Sequence, residues 1–224
     1  MSDASLAGKR VLVSAGPTYE DIDPVRFIGN RSSGKMGFAV AAAAAAQGAE
    51  VVLVAGPVHL STPQGVLRHD VRSAAQMHAA VMAALDAGAG VDGYIGAAAV
   101  ADFTPRAVAG AKLKKQPGQD TLQLELVRTR DILADVAAHP ARPRLVVGFA
   151  AETEAVAAHA REKRSRKRID MICANRVGVP GSGFEADDNA LLVIDGAGEH
   201  ALGPASKPAL ARDLLAIIAA RLED

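Results

Sequence analysis

The sequence predicts an α/β fold of the Rossmann-like class, a mainly parallel sheet with helices on both faces. Short runs of β-branched and apolar residues alternate along the chain with longer segments of helical length. Such alternation is typical of strands joined by right-handed helical crossovers, which cover both faces of the sheet. Half of the residues are hydrophobic, mostly alanine and valine, and only 3% are aromatic. Small side chains of this kind allow helices to pack closely on a sheet.

In the amino-terminal half, the pattern predicts three buried strands, two helices and one long irregular segment. The predicted strands span 10–15, 51–54 and 94–99, and the predicted helices span 34–47 and 72–87. The irregular segment begins at Gly16-Pro17 and continues to about Ser33. Loops of this length are uncommon in compact domains and are often functional.

In the carboxyl-terminal half, the pattern predicts four strands and three helices. The predicted strands span 122–126, 145–148, 170–174 and 191–194, and the predicted helices span 131–138, 154–168 and 206–222. Strict alternation at 122–126 favours a strand with one solvent-facing side. Ligands of parallel sheets bind beyond the carboxyl ends of the strands. We therefore expect the functional site near 14–18, 97–102, 149–152 and Asn175.

Length and composition narrow the function classes. The 224 residues predict a single domain over 1–224, with residues 1–8 as a flexible amino-terminal tail. A net charge of zero argues against a dedicated nucleic-acid-binding protein. The single cysteine, Cys173, excludes an internal disulfide and a cysteine-based zinc site. The longest apolar run, 38–46, is too short to span a membrane, and the amino terminus lacks signal-peptide features, so we expect a cytoplasmic protein.

Two glycine-containing motifs can be interpreted only from the residues and predicted elements around them. Residues 88–93 match the dinucleotide pattern G-x-G-x-x-G, but a predicted helix precedes them and a strand follows, the reverse of the required order. We interpret them as a turn, and a nicotinamide-dependent oxidoreductase stays an alternative function. Residues 29–36 resemble a P-loop, but Met36 occupies the position of the magnesium-binding hydroxyl. Ser32, Ser33 and Gly34 could still cradle a phosphate at a helix start, or the serines could only cap the helix.

Seven unusual strings occur in one order along the chain. They are GPTYE at 16–20, DPVRFIGN at 23–30, SSGKMG at 32–37, AAAVADF at 97–103, KLKK at 112–115, VGFAAET at 147–153 and ICAN at 172–175. Together they resemble the phosphopantothenate–cysteine ligase family of coenzyme A biosynthesis, from about Gly8 to the carboxyl terminus.

The resemblance implies a two-step amide synthesis. The carboxylate of 4′-phosphopantothenate attacks the α-phosphate of CTP, forming an acyl-cytidylate and releasing pyrophosphate; the amine of cysteine then attacks the acyl carbon and releases CMP. The KLKK string resembles the bacterial branch, which uses CTP, although the residues alone do not distinguish CTP from ATP. Mg²⁺ is expected to accompany the triphosphate through phosphate oxygens and water, and no protein ligand to a metal is predicted.

The resemblance assigns catalytic roles to Lys112 and Asn30. Lys112 would stabilise charge on the α-phosphate in the first step, and residues 107–118 would form a flap over the nucleotide. Asn30 would bind the acyl-nucleotide intermediate. Arg26 would grip the phosphate of phosphopantothenate in a neighbouring subunit's site, which implies a homodimer with shared sites. From spacing alone, Lys112 could belong to a solvated lysine run and Asn30 could be a turn or cap residue.

The resemblance also implies a set of nucleotide-binding residues. They are Gly96, Ala97, Ala98, Asp102, Lys112, Arg130, Asp131, Ile132, Leu133, Phe149, Lys163 and Lys167. Arg130 stands where many relatives have proline. Lys163 and Lys167 are four residues apart and share a helix face, although basic residues there could also offset the helix dipole.

In bacteria this family commonly forms the carboxyl-terminal half of a fusion with a flavin-dependent decarboxylase. The sequence leaves open whether the chain is a stand-alone protein or one domain of such a fusion. A non-catalytic nucleotide-binding module is the second alternative function.

Overall fold

The computed structural model describes residues 5–88, 90–115, 117–118, 120–177 and 186–223. The strands are β1 (Arg10–Ala15), β2 (Tyr19–Asp21), β3 (Phe27–Gly29), β4 (Glu50–Ala55), β5 (Val66–Asp70), β6 (Gly93–Gly96), β7 (Phe103–Pro105), β8 (Leu126–Arg128), β9 (Leu145–Glu152), β10 (Met171–Arg176), β11 (Asp188–Ile194) and β12 (Glu199–Ser206). The helices are α1 (Lys35–Ala46), α2 (Ala74–Asp86), α3 (Ile132–Ala137), α4 (Val156–Lys167) and α5 (Lys207–Glu223). No helix among these described residues is long and apolar enough to cross a bilayer.

Eight strands form one central sheet in the order β12-β11-β10-β9-β6-β1-β4-β5. The six strands from β10 to β5 run parallel, and β11 and β12 add an antiparallel edge. In the middle of the sheet, Val13 of β1 lies opposite Leu53 of β4 and Ile95 of β6, and all three are fully buried. The predicted mainly parallel sheet is confirmed.

Helices cover both faces of this sheet, as predicted. One core contains apolar side chains from α1 and α5, and the other contains side chains from α2, α3 and α4. The helices approach closely because their contact residues are small: a Cβ atom on Gly37 of α1 would lie 2.5 Å from the Cβ of Ala15. Residues 88 and 90–92 lie between α2 and β6, and Gly93 begins β6, which agrees with a helix-to-strand turn rather than a dinucleotide motif.

Two small sheets lie outside the central one, and they correct two sequence predictions. The segment predicted to be irregular contains the β2–β3 hairpin. Only Leu126 of the predicted strand 122–126 is in a strand, β8, which pairs with β7. Leu122 and Leu124 are exposed, so the alternating pattern faces no core there. Apolar alternation predicts a strand only where a packing partner covers one face.

Three further boundaries differ from the predictions. Leu6 is fully buried and its N–H donates to the carbonyl of Gln47, so the predicted flexible tail through residue 8 is wrong for this part of the chain. Strand β6 ends at Gly96, and residues 97–99 leave the sheet beside the end of β1. Strands β5 and β12 were missed because they are edge strands without a continuous apolar run.

Candidate functional site

Two adjoining cavities lie at the carboxyl ends of the parallel strands. The first, the Arg130 cavity, has a volume of about 410 Å³ and is lined by residues that include Ser14, Tyr94 and Arg130. The second, the Ser32 cavity, has a volume of about 240 Å³ and is lined by residues that include Ser32. Both are lined by Ala98, Val100, Asp102, Phe149 and Lys163, so the two cavities are continuous.

Most of the predicted nucleotide-binding residues converge on the Arg130 cavity. Its lining includes Gly96, Ala98, Asp102, Arg130, Asp131, Ile132, Leu133, Phe149, Lys163 and Lys167. Ala97 lines the Ser32 cavity together with Ser32, Ser33 and Gly34. Lys112 lines neither cavity.

The Arg130 cavity has a polar floor made by Ser14, which lies in the expected segment 14–18, and by Tyr94, which the sequence predictions missed. The hydroxyl groups of Ser14 and Tyr94 are hydrogen-bonded at 2.9 Å. Burial disfavours the phenolate and raises the pKa of Tyr94 to about 12, so the hydroxyl stays neutral. A Cβ atom on Gly96 would lie 3.2 Å from the Tyr94 ring and 3.5 Å from Leu133. Glycine at this position keeps the floor open to a ligand.

Val100 lies in the expected segment 97–102, whereas three further lining residues were missed by sequence reasoning: Phe103, Arg128 and Thr129. Arg128 and Thr129 directly precede residues 130–133, which were predicted to bind the nucleotide. Extending that predicted segment by two residues would have included them. Ser14 lies within a predicted strand end. The sequence carries no signal for Tyr94, because a single tyrosine inside a buried strand looks like a core residue.

Two lysines of α4 make one side of the Arg130 cavity cationic. The ammonium of Lys163 donates to the carbonyl of Phe149 at 3.0 Å, and that of Lys167 donates to the carboxylate of Asp131 at 2.9 Å. Burial and the nearby charge of Lys167 lower the pKa of Lys163. Burial alone would raise the pKa of Asp131, but Lys167 and the N–H of Ala134 stabilise the carboxylate, and the pKa is lowered overall.

Arg130 lies at the rim of its cavity, with a largely exposed side chain. Its guanidinium contacts Asp135 at 3.0 Å, and the same carboxylate oxygen lies 2.8 Å from Nε2 of the buried His78. The acidic partner on α3 therefore holds Arg130 beside the cavity although no proline shapes the chain there.

The Ser32 cavity lies at the amino end of α1. Gly34, rather than a serine, occupies the position before the first helical residue, with a left-handed φ of 75°. A side chain there would be strained and would lie 3.0 Å from Val58. The hydroxyl of Ser32 accepts a hydrogen bond from the N–H of Gly34 at 3.3 Å. Gly34 gives α1 no side-chain cap, and the anion cradle stays a prediction.

Asn30 is held next to the Ser32 cavity. Its side-chain amide donates to the carbonyl of Ala99 at 2.9 Å, and Ala99 lines that cavity. The loop before it is anchored nearby, because the hydroxyl of Thr18 accepts from the N–H of Ala101 at 3.0 Å. Asn30 is therefore positioned by a specific contact to the chain that follows β6.

Arg26 and the lysine-rich segment are linked through a buried carboxylate. Asp23 accepts from the guanidinium of Arg26 at 3.1 Å and from the N–H of Leu113 at 3.1 Å. Arg26 also donates to the carbonyl of Leu113 at 3.0 Å. The Arg26 guanidinium and the surrounding backbone N–H groups hold the pKa of Asp23 well below its usual range. Lys112 is exposed, one residue from this anchor.

The chain matches the family model described as the DNA/pantothenate metabolism flavoprotein C-terminal domain over residues 6–222. The Coenzyme A biosynthesis bifunctional protein CoaBC of Vibrio cholerae is 52% identical over 213 residues, covering 95% of this chain and 53% of that protein. The protein of the same name from Escherichia coli is 48% identical over 215 residues, covering 96% of this chain and 52% of that protein. The chain thus spans about half the length of these curated relatives.

Solved structures are also similar to this chain. The crystal structure of the C-terminal domain of Coenzyme A biosynthesis bifunctional protein CoaBC superimposes with a TM-score of 0.82 at 40% identity, covering 100% of both chains. A complex of a Cab2 mutant with phosphopantothenate-cysteine shares the fold, with a TM-score of 0.76 at 15% identity over 96% of this chain and 86% of that chain. The chain belongs to the DNA/pantothenate metabolism flavoprotein C-terminal domain family.

Proposed function

We propose that the chain is a phosphopantothenate–cysteine ligase that activates 4′-phosphopantothenate with CTP and joins it to cysteine. The observation that carries this proposal is the pair of continuous cavities, with Lys163 and Asp102 lining both. One cavity offers a polar floor and two lysines, and the other offers a hydroxyl- and glycine-lined cradle at a helix start. Together they suit a nucleoside triphosphate. Membership of a family whose relatives are named for coenzyme A biosynthesis supports the proposed substrates.

In the first step, the carboxylate of phosphopantothenate attacks the α-phosphorus of CTP and pyrophosphate leaves. A free carboxylate is a poor electrophile, whereas the resulting acyl-cytidylate has a phosphate monoester as its leaving group. The protein supplies positioning and cationic stabilisation of phosphoryl charge, which is the role of Lys112, Lys163 and Lys167. No protein nucleophile is needed, and burial raises the pKa of the Cys173 thiol and keeps it unreactive.

In the second step, the amine of cysteine attacks the acyl carbon and CMP leaves. Negative charge develops on the acyl oxygen in the transition state. An uncharged amide donor such as Asn30 can stabilise it without repelling the neighbouring phosphate.

The carboxylates available to a magnesium ion are few. Among the described residues that line the two cavities, the acidic side chains are Asp102 and Asp131, and Asp131 already pairs with Lys167. This donor set fits Mg²⁺ held mainly by phosphate oxygens and water, and Asp102, which lines both cavities, would be the protein carboxylate available to it. When bound, the ion offsets part of the triphosphate charge.

The proposed function is tested by following pyrophosphate release from CTP, and separately from ATP, in the presence of phosphopantothenate. We expect release from CTP before cysteine is added, and product amide only after its addition. Tight CTP binding without pyrophosphate release would favour a non-catalytic nucleotide-binding module. Copurification of a nicotinamide cofactor would favour an oxidoreductase.

The lowered pKa of Lys163 predicts a pH dependence of CTP affinity. As pH rises through this pKa, which lies below the usual 10.5, Lys163 loses its charge and CTP should bind more weakly. A bound triphosphate stabilises the charged lysine, so binding in this range should take up a proton. Calorimetric titrations from about pH 7 to about pH 10, in buffers of different ionisation enthalpy, measure both effects.

The control for this prediction is Lys163→Arg, because a guanidinium stays charged throughout the range. Its CTP affinity should vary less with pH than that of the wild type. Identical pH profiles for the two proteins would show that Lys163 does not bind the triphosphate.

A homodimer with shared sites is part of the proposal, and an apolar surface supports it. Large apolar side chains that are 37–60% exposed lie on or beside the two small sheets: Val25, Phe27, Phe103, Val108, Leu122, Leu124 and Leu126. Strands β2 and β7 of these sheets contact each other. Exposed apolar side chains grouped in this way are typical of protein interfaces. Arg26 lies between Val25 and Phe27 in sequence, and its guanidinium, which contacts Asp23 and Leu113 of its own chain, would have to turn toward a second subunit at such an interface.

Shared sites predict complementation between two inactive variants. If one subunit supplies Asn30 and its partner supplies Arg26, a mixed dimer of Arg26→Ala and Asn30→Asp chains contains one intact site. Random mixing should restore about a quarter of the wild-type activity, because half of the dimers are mixed. Activity is measured after subunit exchange, with each variant alone as the control. No recovery despite proven exchange would place both residues in the same subunit's site.

The remaining features of the proposal concern cellular context. The curated relatives are named as bifunctional proteins of about twice this length, which supports association with a flavin-dependent decarboxylase domain. We further propose that residues 1–224 form one ligase domain that works in the cytoplasm.

A further inference from the structure

Lys207 is a buried lysine that the proposed mechanism does not use. It is the first residue of α5, and its side chain is nearly inaccessible, with the residue only 4% exposed. Its ammonium donates to the carbonyl of Ala186. Lys207 also lines the Ser32 cavity, where Lys163 is the other lysine among the described lining residues.

Burial and the helix dipole both act against a charged lysine at this position. An ammonium at the amino end of a helix is repelled by the helix dipole, and burial removes its water. Lys35, at the amino end of α1, repels it further, whereas Asp187 attracts it. Burial and Lys35 together lower the pKa of Lys207. A lysine that lines a cavity with hydroxyl and amide groups is suited to contact an anion bound there.

The surroundings of Lys207 show which part of an anionic ligand it can reach. The Ser32 cavity combines Lys207 with the hydroxyls of Ser32 and Ser33, the start of α1, and the amides of Asn175 and Asn189. Lys163 lies where this cavity joins the Arg130 cavity. If the nucleoside occupies the Arg130 cavity, its triphosphate extends past Lys163 into the Ser32 cavity. The groups farthest from the nucleoside then lie beside Lys207.

We infer that Lys207 binds the β- and γ-phosphate groups of CTP and stabilises pyrophosphate as it leaves, an inference that rests on the proposed function. In the first step, a carboxylate oxygen forms a bond to the α-phosphorus. The bond between that phosphorus and the α–β bridging oxygen breaks, and its electron pair goes to the departing pyrophosphate. The ammonium of Lys207 offsets this added negative charge. The second step, which releases CMP, does not involve Lys207.

The test compares ligands that contain the outer phosphates with one that lacks them. Lys207→Met and Lys207→Gln should weaken binding of CTP and of pyrophosphate by roughly 10- to 100-fold, because a buried charge-assisted contact is lost. Binding of CMP should stay within about 2-fold of the wild type, since CMP has no β- or γ-phosphate. Single-turnover pyrophosphate release should slow, whereas aminolysis of prepared acyl-cytidylate should not. The variants also lose the hydrogen bond to Ala186, so the melting temperature of each is measured to separate an effect on folding from an effect on binding.

Lys35→Gln is the matched control. Lys35 is also a lysine at a helix start, but it pairs with Asp187 at 2.7 Å and does not line the Ser32 cavity. Its loss should change CTP affinity by less than about 3-fold. Equal weakening of CTP and CMP binding by the Lys207 variants, with a lower melting temperature, would show a structural role and overturn the inference. If both variants match the wild type while the wild type releases pyrophosphate, only this inference fails; if the wild type releases none, the proposed function fails.

Discussion

Replacing Lys112 by alanine should abolish the burst of pyrophosphate that follows mixing of CTP with phosphopantothenate. The ammonium is expected to stabilise charge on the α-phosphate during carboxylate attack, and loss of one such group lowers the rate by about 10²- to 10³-fold. Rapid-quench measurement of pyrophosphate, without cysteine, isolates this step. Because the intermediate would no longer form, amide synthesis should fall by the same factor.

Lys112 must move for this role, since its side chain is exposed and lines neither cavity. The connection that carries it joins β7 to β8, and Phe103 and Arg128 of those strands line the Arg130 cavity. The connection starts after Pro105 and ends before Leu126, at the ends of β7 and β8 opposite to Phe103 and Arg128. Contacts from Asp23 to Leu113 hold it against the loop that carries Arg26. A flap closing over bound nucleotide would bring Lys112 to the α-phosphate.

Lys114→Ala is the matched control for Lys112→Ala. Lys114 lies two residues away, is exposed and carries the same charge. If the lysine run only raises the local positive potential, both variants should lose the burst equally. A specific role for Lys112 requires that Lys114→Ala retain most of it.

Exchanging Asn30 for aspartate should block amide formation while leaving the first step intact. The carboxylate cannot donate to the carbonyl of Ala99, and it places a negative charge beside the acyl oxygen on which charge develops. The first step builds its charge on phosphate oxygens, which the lysines stabilise. We expect about a 10²- to 10³-fold loss in aminolysis and accumulation of acyl-cytidylate. Quench-flow analysis with labelled CTP would detect the trapped intermediate.

Asn30→Ala separates the loss of the hydrogen-bond donor from the effect of the added negative charge. It removes the donor but adds no charge, so its aminolysis rate should lie between those of Asn30→Asp and the wild type. Should Asn30→Asp slow pyrophosphate release as much as amide formation, Asn30 would belong to CTP activation rather than to the second step.

The central strands and helices were predictable because their sequence patterns match their burial. Strand β1 was predicted with its observed bounds, and the helix pattern ending near Leu222 matches α5 to within one residue at each end. The edge strands were not predictable in the same way. Strand β5 carries Arg68, His69 and Asp70, and its pairing with β4 depends on backbone hydrogen bonds that leave no apolar signature.

The site was partly predictable because parallel strands end at a common edge. Residues from three distant segments, represented by Asp102, Phe149 and Lys163, were expected together and line both cavities. Tyr94 and Lys207 were not expected there. In the sequence, Tyr94 is a tyrosine in a buried strand and Lys207 is a lysine at a helix start. Neither can be recognised as a cavity residue until the folded structure shows the cavity beside it.

Local patterns along the chain were sufficient for the fold class, because periodic burial is visible in consecutive residues. The family resemblance named most of the residues that line the Arg130 cavity. The folded structure determines which side chains from distant segments share one cavity and which are held away from it. Consecutive residues do not encode this information. Lys207 lines the Ser32 cavity because α5 packs against the sheet, whereas Lys112 stays outside both cavities beside Leu113, which contacts Asp23 and Arg26. The positions of Lys207 and Lys112 both depend on contacts between residues that lie far apart in sequence, and a local sequence pattern does not reveal such contacts.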